Sequence, residues 1–425
     1  MSVAAFEGPA GCGKTHRLMN ELTDALRRRA LAPHERVLAL TFMHGSRRRL
    51  DARLGELDGL AGRFEATTLD SFAWRLVQRW RRLAVFLGHA LPAEDEYNDT
   101  CALAAALLKR ECVRVWVSLS YPIVIVDEAQ DLNRDRSAMI AALVLSTEVF
   151  LAFDEFQCLD PALLPIAIEA WLREHCEPTA LQGCHRTNDL ELIDAARAVR
   201  EGRAVSLNDK RFRIAPTPGR ANLAAAYVAN AITWRDGGDV AVLTPSRRGG
   251  FVDDVGTLVG AGPVGKQQNG PYHIEWESSD EQDCAALWGK LRLGESFALE
   301  EALAATSTNR GEPIIRALQE WIVRQRRTRG LQQLAAADVQ RQLNRILSLR
   351  RRYAQRSQAL FKAMTIQQAK NREFDHVIIV WPYTVPNGDE RRRRLLYNAI
   401  TRAKRSCLVL VQAQQMLKRP PFAVG

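Results

Sequence analysis

What this chain lacks narrows it first. It has no uninterrupted apolar run of about 18 residues, which excludes a membrane-spanning helix. Its eight cysteines, at 12, 101, 112, 158, 176, 184, 284 and 407, form no CxxC pair, which argues against a zinc ribbon. The cluster His175, Cys176, Cys184 and His185 fits no zinc-finger spacing either. The segment Met1–Glu7 has neither the basic nor the apolar region of a secretory leader. With unpaired thiols, that places the expected setting in a reducing cytoplasm. No internal repeat and no low-complexity tail is present. Acidic residues are scarce at one end: residues 310–425 hold 24 basic and 7 acidic side chains, a net of +17, whereas residues 1–309 carry −7. A basic C-terminal third on a mildly acidic body points to a polyanion partner, most simply nucleic acid. Solvated arginine faces are the plain alternative.

What is present reads as a globular chain of two or three domains, with 47% hydrophobic and 25% charged residues. Continuous apolar strands are expected at residues 2–7, 37–42, 65–69, 123–127 and 149–154, with helical stretches between them. A second block has strands at 239–244, 376–381 and 407–411. Strands without alternation, separated by helices, predict parallel sheets covered on both faces, an α/β fold. The Gly-rich stretch 250–272 reads as loop and residues 280–356 as helical. Residues 310–356 alone contain 12 Arg against 3 acids.

Gly8-Pro9-Ala10-Gly11-Cys12-Gly13-Lys14-Thr15 fits GxxxxGK[ST] between a strand and a helix. In that setting glycines let backbone N–H groups wrap a phosphate at a positive helix end. Lys14 is expected to reach the β- and γ-phosphates of ATP, and Thr15 to ligate Mg²⁺. The apolar strand 123–126 ends in Asp127-Glu128-Ala129-Gln130-Asp131. Asp127 is the expected second Mg²⁺ carboxylate and Glu128 the general base for the attacking water.

Together these motifs resemble the UvrD/Rep branch of superfamily 1 helicases. Six further segments, in order, resemble that family's motifs: residues 38–42 and 67–72 (both strand contact), 153–157, 183–187, 365–374 and 397–404. The resemblance implies two RecA-like domains, ATP and Mg²⁺ as cofactors, and single-stranded DNA or a tailed duplex as partner. It assigns γ-phosphate sensing to Gln157, arginine fingers to Arg186 and Arg402, and a ribose contact to Glu373. It assigns strand contact to Thr41, Phe42, Thr68, Phe72 and Thr365. Core packing is the plain alternative for Phe42 and Phe72. The runs Arg47, Arg48, Arg49; Arg350, Arg351, Arg352; and 391–394 are further candidate phosphate contacts, or solvated faces.

The chain departs from the family pattern in places. Cys158-Leu159-Asp160-Pro161 stands where an aromatic stretch is usual, His185 where an aromatic precedes Arg186, and Asn371-Arg372 where Gly-Leu precedes Glu373. The phosphate-loop strand starts at Val3, leaving no room for an upstream adenine-reading glutamine, so weak purine discrimination is expected. The departures bear on unwinding and base selection, not on hydrolysis. The expected division is 1–75 with 118–205, a helical insertion at 76–117, 206–262 with 360–425, and a basic helical insertion at 263–359. The implied activity is ATP-driven 3′–5′ movement on DNA. The alternative is a nucleotide-gated DNA sensor that controls a partner nuclease.

Overall fold

The structure, a computed structural model, describes residues 3–42, 44–92, 97–277, 280–353, 360–385 and 388–422. Side chains of 44–46, 48, 280–282, 329 and 348–353 lie outside that description. Two compact units result: residues 1–275 with 360–425, and residues 276–359. No helix among the described residues is long and apolar enough to cross a membrane.

The larger unit holds two six-stranded sheets, the α/β architecture expected of paired RecA-like domains. The first contains β1 (Val3–Glu7), β2 (Val37–Thr41), β3 (Phe64–Thr68), β4 (Ile123–Asp127), β5 (Glu148–Phe153) and β6 (Thr179–Ala180), in the order β3-β2-β4-β5-β1-β6. All its pairings are parallel. Val124, Val126 and Leu151 enter the core on one face, and Ile123, Ile125 and Phe150 the core on the other. Burial on both faces is why these strands show no alternation. The order sets β4, β5 and β1 side by side, so the loops leaving their C-terminal ends converge on one spot.

The second sheet has β7 (Phe212–Pro216) and β8 (Val240–Thr244), then the short β9 (Glu275–Trp276). In the smaller unit β10 (Ser296–Ala298) pairs antiparallel with β11 (Gln333–Ala335). The chain then returns through β12 (Phe361–Thr365), β13 (Phe374–Trp381) and β14 (Ala403–Val411), giving the order β7-β14-β13-β8-β12-β9. Among its described residues the smaller unit has four helices and its own core, in which Leu287, Phe297, Ile315, Ile322, Leu343 and Leu347 meet.

Several expected boundaries move. Residues 250–272 are not all loop: a helix spans Phe251–Ala261, because Phe251, Val252, Val255 and Val259 form one buried stripe. Residues 263–275 stay with the larger unit rather than the insertion. There Tyr272 bonds Thr233 at 2.7 Å and its ring meets Phe361 edge-on at 5.6 Å. The helices of 76–117 are not a separate insertion, since Cys101, Leu107, Val113 and Val117 share one core with Val124 and Leu151. The helix Leu190–Glu201, expected in the first domain, buries Leu192, Ala195 and Val199 with Leu395 and Val409 of the second.

Candidate nucleotide site

The phosphate loop needs its glycines. Gly11 and Gly13 sit at φ +80° and +85°, a left-handed backbone that side chains resist. A Cβ on Gly11 would lie 2.9 Å from Arg186 Cβ, and one on Gly13 would lie 3.1 Å from His185 Cδ2. The loop is thus packed against residues 183–187, and His185 N–H donates to Gly11 O at 2.7 Å. Lys14 is folded back on its own loop, donating to Gly8 O at 2.8 Å and Pro9 O at 3.1 Å. Asp154 lies 4.0 Å from its ammonium.

The acidic strand end is placed beside the loop by the β4-β5-β1 order. Thr15 Oγ1 donates to Asp127 Oδ2 at 3.1 Å. These adjacent hard oxygens fit Mg²⁺, which takes one or two protein oxygens and keeps water and phosphate for the rest. Glu128 has φ +61°, unusual for a residue with a side chain. Its carboxylate accepts from Gln130 Nε2 at 2.5 Å, and Gln130 Oε1 accepts from Asp154 N–H at 3.1 Å. Burial raises the Asp127 carboxyl, and the Glu128 charge raises it further. Burial also works to raise Glu128, but Lys370 and then Lys14 outweigh it and hold Glu128 below the usual carboxylate range.

The opposite wall comes from the second sheet and from residues 183–187. Arg186 donates to Glu373 Oε1 at 2.8 Å and to Thr401 O at 2.6 Å. Burial works to raise Glu373, and Arg186 followed by Lys404 holds it low instead. Arg402 is buried, donating to Asn398 O at 2.9 Å and Thr401 Oγ1 at 3.1 Å. Burial first, then the Arg186 cation, pull its pKa down to about 9. A second arginine in a buried cleft, with no carboxylate within ion-pair distance among the described residues, favours an incoming anion. A cavity of about 560 Å³ lies between the walls, lined among others by Lys14, Thr15, Asp127, Glu128, Gln157, His185, Arg186, Glu373 and Arg402.

Two lining residues, His16 and Arg53, were missed from sequence, and Arg49, expected as a phosphate contact, faces the same cavity. Arg49 and Arg53 are one helical turn apart, the only available signal, and Arg49 donates to Asn371 O. Arg49 therefore lines the cavity that Lys14, Thr15 and Asp127 also line, besides being a strand-phosphate candidate. Lys370 was missed as well. It bonds both oxygens of Asp131, at 2.5 and 2.6 Å, with both side chains 8% exposed.

The expected strand contacts divide. Phe42 is 36% exposed, with the Arg136 guanidinium 5.2 Å from its ring centre. Thr41 is buried, and Thr365 bonds Gln368 through its hydroxyl at 3.0 Å. Thr68 is buried and accepts from Ser71 N–H, capping the helix Leu69–Arg79. Phe72 corrects the expectation of base stacking. It is 3% exposed and meets Tyr121 edge-on, because it shares the inward stripe of Leu69, Ala73 and Leu76. The run 391–394 is also corrected in part. Arg394 is buried against Glu155 and Glu390, and Arg393 donates to the carbonyl of Val199. Arg48, Arg350, Arg351 and Arg352 have side chains outside the described residues. Among the described residues no group of His, Cys, Asp or Glu forms a metal cluster, and His175 stacks on Trp171.

Three comparisons bear on this arrangement. Residues 360–410 match the family described as UvrD-like helicase C-terminal domain. That stretch holds β12, β13 and most of β14, with the Lys370–Glu373 loop and Arg402. No curated protein matches the chain. Among solved structures, the crystal structure of Arterivirus nonstructural protein 10 (helicase) is 12% identical, with a TM-score of 0.41, covering 98% of this chain and 61% of that one. The complex of Arterivirus nonstructural protein 10 with DNA is 13% identical, with a TM-score of 0.39 and coverage of 98% and 62%. The structure of PRRSV helicase is 14% identical, with a TM-score of 0.39 and coverage of 98% and 53%. This chain thus spans between about half and three fifths of those proteins, and likeness of that degree carries no functional argument. The family match is confined to residues 360–410: that stretch, which holds the segments 365–374 and 397–404, is similar to the UvrD-like helicase C-terminal domain, in keeping with the resemblance of those two motifs.

Proposed function

We propose that this chain is an ATP-hydrolysing helicase or translocase that couples nucleotide turnover to 3′–5′ movement along single-stranded DNA. One observation carries the reading: a single cavity joins Lys14, Thr15, Asp127 and Glu128 on one wall to Glu373 and Arg402 on the other, with Arg186 paired to Glu373. Lys14 swings from Gly8 O and Pro9 O to the β- and γ-phosphates. Thr15 and Asp127 would hold Mg²⁺, which when bound would neutralise phosphate charge. Glu128, kept ionised by Lys370 and Lys14, takes the proton of the attacking water. Gln157 senses the γ-phosphate, and Arg186 and Arg402 stabilise its charge in the transition state. Arg186 must leave Glu373 to do so, which frees Glu373 for the ribose. His185, packed on Gly13, offers its ring to the base. Because the arginines come from the far wall, turnover opens and closes the cleft, and Phe42 and Thr365 grip the strand.

The alternative, a nucleotide-gated DNA sensor controlling a partner nuclease, draws support from the burial of Phe72 and Thr68. With Thr41 also buried, that removes three strand contacts from the expected set. Two assays separate the readings. ATPase is measured with and without single-stranded DNA, and strand displacement on 3′- and 5′-tailed duplexes. DNA-stimulated hydrolysis with displacement of the 3′-tailed duplex supports the motor. Stimulated hydrolysis without displacement supports the sensor. No hydrolysis in either case removes both.

A further inference from the structure

The phosphate loop is held from behind by a side chain of the other sheet. Ala10 N–H donates to the Tyr397 hydroxyl at 2.7 Å, across 387 residues of chain. Ala10 is buried in the core of the second sheet, not the first. The Tyr397 hydroxyl in turn donates to Asp154 Oδ2 at 3.1 Å. Arg200 donates to Asp154 Oδ1 at 2.6 Å. The same Asp154 Oδ2 lies 4.0 Å from the Lys14 ammonium. Tyr397 is 1% exposed and Asp154 fully buried, and Phe156 meets the Tyr397 ring edge-on at 5.2 Å.

We propose that the Tyr397 hydroxyl is a positioning group for the phosphate loop, holding Ala10 in place and keeping Asp154 from capturing Lys14. The inference rests on the nucleotide reading of the cavity. A buried backbone N–H needs a partner, and Ala10 has this one. With Ala10 anchored from behind, the N–H groups of residues 11–15 stay turned to the phosphates. The acidic oxygen nearest Lys14 is already occupied by the phenol, so the ammonium remains free to move to phosphate. Burial first, then the Asp154 charge, push the Tyr397 phenol far up, so it keeps its proton and the bond to Asp154 keeps its direction. Both effects act on bound nucleotide before and during hydrolysis alike, so they belong to binding and not to the chemical step.

The test is Tyr397→Phe, which keeps the ring against Phe156 and removes only the hydroxyl. A lost bond with a buried N–H left open predicts KM for ATP and Kd for ADP raised together, by about 5- to 20-fold, with kcat within about twofold of wild type. KM is read from steady-state ATPase and Kd from calorimetry with ADP and Mg²⁺. Arg200→Gln, on a partly exposed helix face, removes a second side-chain partner of Asp154 together with the 3.4 Å bond that Arg200 donates to the Tyr397 hydroxyl. It predicts the same split with a smaller rise, of about 2- to 5-fold. Unchanged KM and Kd in Tyr397→Phe overturn the proposal. So does a fall in kcat with KM intact, which would place the residue in cleft closure. If Tyr397→Phe does not fold, unchanged nucleotide affinity in Arg200→Gln overturns it. Failure of the functional reading looks different: wild type itself would bind no ADP.

Discussion

Glu128 occupies a left-handed backbone at φ +61°, beside a carboxylate it would ordinarily repel. The neighbouring cations and Gln130 fix which of the two acids stays ionised. Glu128→Gln keeps shape and nucleotide binding, and it is expected to lower kcat by about 10²- to 10⁴-fold. Lys14→Ala is expected to lower both affinity and turnover, because the phosphate contact itself is gone. Near-normal ATPase in Glu128→Gln would show the base misassigned. The Asp127 carboxyl titrates above its ordinary range, so its protonated fraction grows as pH falls from neutral to mildly acidic. Protons then compete with metal. The Mg²⁺ concentration for half-maximal ATPase is expected to rise on acidification before the Glu128-dependent step is lost. A metal requirement independent of pH in that range would contradict the assignment of Asp127.

At the scale of elements, loops of two sheets are tied by the buried pair Asp131–Lys370. Asp131 follows β4 and Lys370 follows β12, so the pair links the loop of Glu128 to the loop of Glu373. Lys370→Met leaves Asp131 buried without its counter-ion. It is expected to cost about 3–5 kcal/mol of stability by denaturant unfolding. Adding Asp131→Leu removes the orphaned charge and should restore most of it. Lys370 also holds the Glu128 carboxyl low, so its loss should move the acid limb of the kcat profile to higher pH. An unmoved limb would mean the cation acts only on Asp131. The same scale explains Phe72. Its motif position looked like a strand contact, but the helix Leu69–Arg79 turns it onto the core stripe. Only the turn of that helix against Tyr121 decides between the two.

Across the whole molecule, charge is concentrated in the C-terminal third. If Arg350, Arg351 and Arg352 touch DNA phosphates, neutralising all three should flatten the log–log salt dependence of single-strand binding by up to about 2 units, at about 0.7 per contact. An unchanged slope returns them to a solvated face. The smaller unit at residues 276–359 carries them on the helix Ala336–Tyr353 and has a core of its own.

Phosphate loop, acidic strand end and parallel sheets were legible in the amino-acid order, because each is a local requirement. Gly11 and Gly13 answer a backbone turn, and the apolar runs of β2 and β4 answer burial on both faces. Asp127 and Glu128 stand where a strand must end. Domain borders were read less well, since the helix Leu190–Glu201 follows one sheet in sequence and packs on the other. The partners of the site were not legible at all. Tyr397 meets Ala10 across 387 residues, Lys370 meets Asp131 across 239, and Arg49 turns into the cavity only because its helix lies against the loop of Asn371. Such pairings depend on how the two open sheets face one another. No local pattern of residue types encodes that, because the contact forms between surfaces that sequence separation leaves independent.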